Sequence, residues 1–189
     1  TVDYVEQLLT ATLERPPRFG CFGLHEWAMV YRMTPEQLRH RALPLRIGQA
    51  ETDLVVESHP IACSHFDAYR FFTAEAEPLN EMRPTRESQV TMEQSGCLHA
   101  GMDVYKWASK LGPIIPGDLL LDSFELARDI RIVDMQASPY DVSSLGYDAI
   151  AIETPPGKRE YANLQRGFTE RGNLIRERIL SAIAVARTH

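Results

Sequence analysis

The stretch from Leu119 to Met135 constrains the fold most. It follows Pro116-Gly117-Asp118, a helix start signal, and has no internal breaker. Asp118, Asp122, Glu125 and Asp129 recur at steps of four, three and four, so as a helix they share a narrow arc. Leucines, isoleucines, Phe124, Val133 and Met135 fill most of the remaining circumference. A helix so apolar around its girth is expected to be largely buried, and carboxylates on such a helix are more informative than on a solvated one.

Other segments also read as helices. Val2 to Arg15 carries Val5, Leu8, Leu9 and Leu13 at amphipathic spacing and stops at Pro16-Pro17. Leu24 to Tyr31 is apolar enough for a buried helix in which His25 and Glu26 are the clearly polar groups. Thr34-Pro35-Glu36-Gln37 has the cap, proline and glutamine of a short helix start. Arg159 to Arg187 is a long amphipathic helix with Leu164, Phe168, Ile175, Ile179 and Ile183 on its apolar face. Extended structure is expected at Pro44–Ile47, at Asp53–Glu57 with its paired valines, and as a short strand at Ala149–Glu153. Ala74 to Ser88 is polar and proline-containing, and predicts a long loop. The expected fold class is therefore mainly α with a small β component (α+β), one helical domain over residues 1–189. The opening residues read as mid-domain, so an upstream part of the protein is expected.

The chemistry concentrates in two segments. Cys97-Leu98-His99-Ala100-Gly101-Met102-Asp103-Val104-Tyr105-Lys106-Trp107, read as a helix, puts His99 and Asp103 on one face with Lys106 and Trp107 a turn on. Cys63-Ser64-His65-Phe66-Asp67-Ala68-Tyr69-Arg70 repeats the order Cys-x-His, Asp-x-Tyr-basic, though two residues out of register between histidine and aspartate. One His–Asp pair is more often a core hydrogen bond than a site. Two such sets, each followed by an aromatic and a base, are harder to attribute to packing, and a shared pocket approached by the helix of Asp122 and Glu125 is the geometric expectation.

Metal-binding spacings give no direct match: His-Glu-x-x-His, Cys-x-x-Cys and Glu-x-x-His are all absent. A loose supply of ligands for a divalent metal remains in His25, Glu26, His65, Asp67, His99, Asp103, Asp122 and Glu125. An arginine-paired surface face is the bland reading of the acid stripe. Cys21, Cys63 and Cys97 read first as small core residues.

Net charge bounds the partners. At −6 the chain lacks the basic excess usual for duplex DNA binding, although a local basic groove stays open. Three unpaired-looking cysteines suit a reducing compartment, and the cytoplasm is expected. No apolar run is long enough to span a membrane.

Four phrases carry a family resemblance: FGCFGLHEWAMVYR at 19–32, CSHFDAYRFFT at 63–73, GCLHAGMDVYKWASKL at 96–111 and DSFELARDIRIVDMQASPYDV at 122–142. Over nearly the whole chain the sequence resembles a bacterial family commonly labelled 3-methyladenine DNA glycosylase, whose members carry a further N-terminal part. The resemblance implies excision of alkylated purines from DNA. Such an enzyme needs a stacking pocket for the flipped base and a carboxylate to stabilise the sugar cation or activate water. Asp67, Asp103 and His99 are the expected catalytic groups, with His65, Tyr69, Arg70, Lys106 and Trp107 around the substrate. Two alternatives stand beside it. One is a metal-dependent enzyme for an anionic small molecule held by Arg70 or Lys106, with His25, Glu26, Asp122 and Glu125 as candidate ligands. The other is a non-catalytic ligand-binding module.

Overall fold

The computed structural model describes residues 1–188. Within them the α-helices are α1 Val2–Glu14, α2 Leu24–Ala28, α3 Gln49–Glu57, α4 Phe66–Tyr69, α5 Gln89–Met92, α6 Leu98–Leu111, α7 Gly117–Ala137 and α8 Pro155–Arg187. The three long helices α6, α7 and α8 pack pairwise, α1 lies along α8 and α5, and α2 packs on α3 and α4. Among the described residues no helix is long and apolar enough to cross a membrane.

The chain is mainly helical, and the expected β component is absent from the described residues apart from two isolated bridges, Leu45 with Tyr140 and Ile61 with Asn80. Asp53–Glu57 is the second half of α3, where Thr52, Val55 and Val56 turn inward. Its valines enter the core from a helix that packs on α2, so tertiary packing overrides their preference for strands. Ala149–Glu153 has no partner strand: the Ile150 N–H donates to Gln136 O at 2.9 Å, and Ile152 is fully buried. Alternation there marks buried side chains on a loop that folds back over the end of α7.

Periodicity explains the long helices. On α7, Leu119, Leu126, Ile130, Val133 and Ala137 form one buried face. The expectation that it is largely buried is corrected, because Leu121 and Phe124 are 55% and 44% exposed. On α8 the inward residues include Tyr161, Gln165, Ile175, Ile179 and Ile183, whereas Leu164 faces out. Helix α8 starts where the Thr154 hydroxyl accepts the Gly157 N–H at 3.2 Å and two prolines preset the first turn. Gly101 sets the approach of α6 to α7, since a Cβ there would lie 2.6 Å from Ile130 Cδ1.

The segment 74–88 is tied to the Cys63 segment by one buried side chain. Asn80 accepts from the Cys63 N–H at 2.8 Å and donates to Cys63 O at 2.9 Å and Met82 O at 2.7 Å. That clamp fixes the backbone two residues before His65. Asn80→Ala leaves a buried N–H and a buried carbonyl without partners, at about 1–3 kcal/mol each. Thermal denaturation is expected to show a Tm lower by roughly 4–24 °C, at about 2–4 °C per kcal/mol for a chain of this size. An unchanged Tm means that the clamp is not what holds the segment.

Candidate metal centre

Three histidines from distant parts of the chain meet in the core. His25 comes from α2, which starts after the left-handed pair Phe22 and Gly23. His65 is the extended residue that caps α4. His99 lies in the first turn of α6. Ring centroids are 4.5 Å apart for His25 and His99 and 5.4 Å apart for His65 and His99, so His99 sits against both.

Carboxylates flank this row. Beyond His25, Nε2 lies 3.1 Å from Asp134 Oδ1 of α7, and Asp134 is fully buried. Arg131, a turn earlier, reaches Asp134 Oδ2 at 3.0 Å and Glu26 Oε1 at 3.8 Å. At the other end His65 Nε2 lies 2.8 Å from Glu93 Oε1 and 3.4 Å from Asp103 Oδ2. His25 and Asp134 are hydrogen-bonded, whereas the His65 contacts are short but fall short of hydrogen-bond alignment, and among the described residues Nδ1 of His65 and Nδ1 of His99 have no hydrogen-bond partner. Buried polar atoms without partners are uncommon, and each asks for an ion or a water.

The donors sort into two sets. His25, Glu26, His99 and Asp134 form one, and His65, Glu93 and Asp103 the other, with the ligand atoms of each set within 4.8 Å of one another. Imidazole with carboxylate suits divalent first-row transition metals. Thiols do not compete at Cys63 and Cys97, since burial raises both pKa values and keeps them protonated.

Protons occupy the histidines in different ways. Burial disfavours a charge on His25, but the Asp134 carboxylate outweighs it and raises the pKa well above the usual range. Burial likewise opposes protonation of His65, while Asp103 and Glu93 lift it to about 9. His99 goes the other way. Burial and the neighbouring His25 push it down to about 3, so it is a neutral imidazole with a free Nδ1. Burial and the nearby Asp134 raise Glu26 to about 7. Perturbation in opposite directions within one cluster is characteristic of functional sites.

The other expected residues are distributed as follows. Asp103 shares a helical face with His99 but turns to Lys106, whose Nζ donates to it at 2.6 Å and to Asp67 at 3.2 Å. Asp67 also pairs with Arg70 at 3.2 Å, near the surface. Tyr69 packs on Phe72, with centroids 5.1 Å apart. Trp107 packs edge-on against Tyr4 at 5.6 Å. Asp122 and Glu125 are in neither donor set: Asp122 and Asp118 pair with Arg178 of α8, and Glu125 lines a surface groove with Arg171 and Arg178. Helix α7 does reach the cluster, through Asp134.

Glu93 and Asp134 are the members that sequence reasoning missed. Asp134 had a signal, a lone carboxylate beside Ile132, Val133 and Met135. Glu93 stands in a polar run and had none. Comparison with family models, curated proteins and solved structures finds no match to the chain.

Proposed function

We propose that the protein is a metal-dependent enzyme acting on a small molecule, with a divalent cation held by His25, Glu26, His99 and Asp134. The observation that carries this reading is His99, a half-buried, neutral imidazole between two other histidines whose Nδ1 is buried without a partner and within reach of carboxylates. A histidine that served only packing would hydrogen-bond to a neighbour. A neutral imidazole with a free lone pair is a metal ligand in waiting.

Access supports catalysis over a closed structural site. Glu26 lines a cavity of about 130 Å³ whose walls include Leu43, Met135, Tyr140 and Val142, with Arg131 at the polar end. A small, largely apolar substrate with one anionic or polar group fits such walls. A cation beside that cavity would act as a Lewis acid or lower the pKa of a bound water.

His99→Leu separates a ligand from a packing residue. Replacing this imidazole with an apolar side chain of similar size is expected to leave the stability of the metal-free protein within about 1 kcal/mol of wild type, or above it. Affinity for Zn(II) or Mn(II) should fall by a factor of roughly 100 or more, since loss of an outer partner of a ligand alone costs about 10–100-fold. Unchanged affinity in isothermal titration sinks the assignment.

A second reading, excision of alkylated purines, is favoured by the family resemblance and by a separate cleft of about 410 Å³. Tyr4 and Trp107 stand in its walls with Arg86, Lys106 and Lys110, an aromatic and basic lining suited to a nucleotide. Asp67 opens onto it, and ion pairing with Lys106 holds this carboxylate ionised against the opposing effect of burial. Release of free base from methylated DNA that resists chelators and disappears in Asp67→Asn would favour this reading. Release abolished by chelation points back to the metal centre. If neither metal nor base release is detected, the non-catalytic module is the reading that stands.

A further inference from the structure

We infer that the centre is dinuclear, with a second divalent cation between His65, Glu93 and Asp103. The inference rests on the reading of the His25 set as a metal site and goes one ion beyond it.

The separation of the donor atoms is the first argument. Two ligands on one ion, each bonded at about 2.1 Å, lie roughly 3.0 Å apart at a right angle and 3.4 Å apart at a tetrahedral angle. His65 Nε2 stands 2.8 Å from Glu93 Oε1 and 3.4 Å from Asp103 Oδ2, two ion-pair contacts shared by one nitrogen that fall short of hydrogen-bond alignment. Atoms that pair with each other point at each other. Atoms arranged around a common centre approach closely without alignment, as these do. His65 is 1% exposed, so a solvating water shell does not explain the free nitrogens.

The supporting contacts are those of oriented ligands. Gln89 Nε2 donates to Glu93 Oε1 at 2.8 Å, and Gln89 Oε1 in turn accepts from the Tyr4 hydroxyl at 2.8 Å. Lys106 fixes Asp103 Oδ2 at 2.6 Å. Arg15 binds the Glu93 backbone carbonyl and so holds the segment after α5 in place. Such outer partners set ligand orientation and basicity.

Because the His99 ring packs on both His25 and His65, the two ions would be near neighbours, as in enzymes that clamp a substrate between two metals.

The test is a titration of the full-length, metal-stripped protein with Mn(II), followed by equilibrium dialysis and electron paramagnetic resonance. The expected result is two equivalents per chain, with the six-line signal of the first broadened by spin coupling as the second binds. Glu93→Gln keeps the shape of the side chain and should bind one equivalent with an uncoupled signal; His65→Gln should do the same, and circular dichroism confirms that each is folded. Saturation of the wild type at one equivalent overturns the second site while leaving the first intact. Two equivalents in both folded variants also overturn it. No bound Mn(II) or Zn(II) in the wild type overturns the metal reading as a whole.

Discussion

Replacing His25 with alanine is expected to destabilise the metal-free protein by about 3 kcal/mol, the low end of the range for breaking a buried ion pair from one side. Asp134 is fully buried, and its neighbours on the charged side are His25 and the half-exposed Arg131. Burial opposes its ionisation, yet the charge on His25 holds its pKa below the usual carboxylate range. Without the imidazole the carboxylate keeps one partner, at the surface end, and faces a hole where the ring stood. The low end applies because Arg131 stays within 3.0 Å. Chemical denaturation of wild type and variant at pH 7 reads the difference directly, and Tm should fall by roughly 6–12 °C. A second comparison removes the carboxylate as well. In His25→Ala, Asp134→Ala the destabilisation should be smaller than the sum of the single effects, because no uncompensated charge remains. A loss under about 1 kcal/mol for the single variant contradicts the picture of a buried, mutually dependent pair.

Metal affinity should rise steeply with pH. The raised pKa values of His25 and His65 mean that the metal-free centre holds protons where a cation would sit, and binding must displace them. Between pH 6.5 and about 9 each displaced proton contributes a tenfold gain in affinity per pH unit, and the His65 contribution levels off above its value of about 9. The metal-free protein behaves in the opposite sense. A histidine whose folded pKa exceeds its unfolded value stabilises fully below about pH 6.5 and loses that contribution as pH climbs through the folded value. Raising pH therefore weakens the metal-free fold while it tightens metal binding. Calorimetric titration with Zn(II) in buffers of different ionisation enthalpy counts the protons released. Affinity that is flat from pH 6.5 to 9, with no proton release, means that these histidines are not ligands.

Much of the scaffold was legible because its long helices bury one periodic face. Val5, Leu8 and Leu9 on α1, Leu119, Leu126 and Ile130 on α7, and Ile175, Ile179 and Ile183 on α8 are all inside. What failed was short-range inference from residue type. Val55 and Val56 suggested a strand, but a helix of nine residues presents them to the core just as well. Ile150 and Ile152 alternate as a strand would, with no neighbouring strand among the described residues to pair with.

The site divides along the same line. His25, Glu26, His65, His99 and Asp103 stood out as polar groups in apolar surroundings, and the fold gathers them. Which carboxylate of α7 turns inward depended on helical phase against neighbours that the local sequence does not contain. Asp134 lies twelve residues after Asp122, about 120° further round the helix, and that rotation takes a carboxylate from the arginines of α8 to the histidine row. Glu93 was illegible for another reason. Its segment has no period to read, and its orientation comes from Gln89 and from Arg15, seventy-eight residues away in sequence.

The most direct test of the central claim is the metal content of the full-length, untagged protein isolated from cells supplied with iron, manganese, cobalt and zinc. A metal-centred enzyme should carry at least one equivalent of a divalent transition metal per chain, lost in His99→Leu although that variant folds. Wild-type protein that is folded, free of metal and indifferent to added Zn(II), Mn(II), Fe(II) and Co(II) would contradict it.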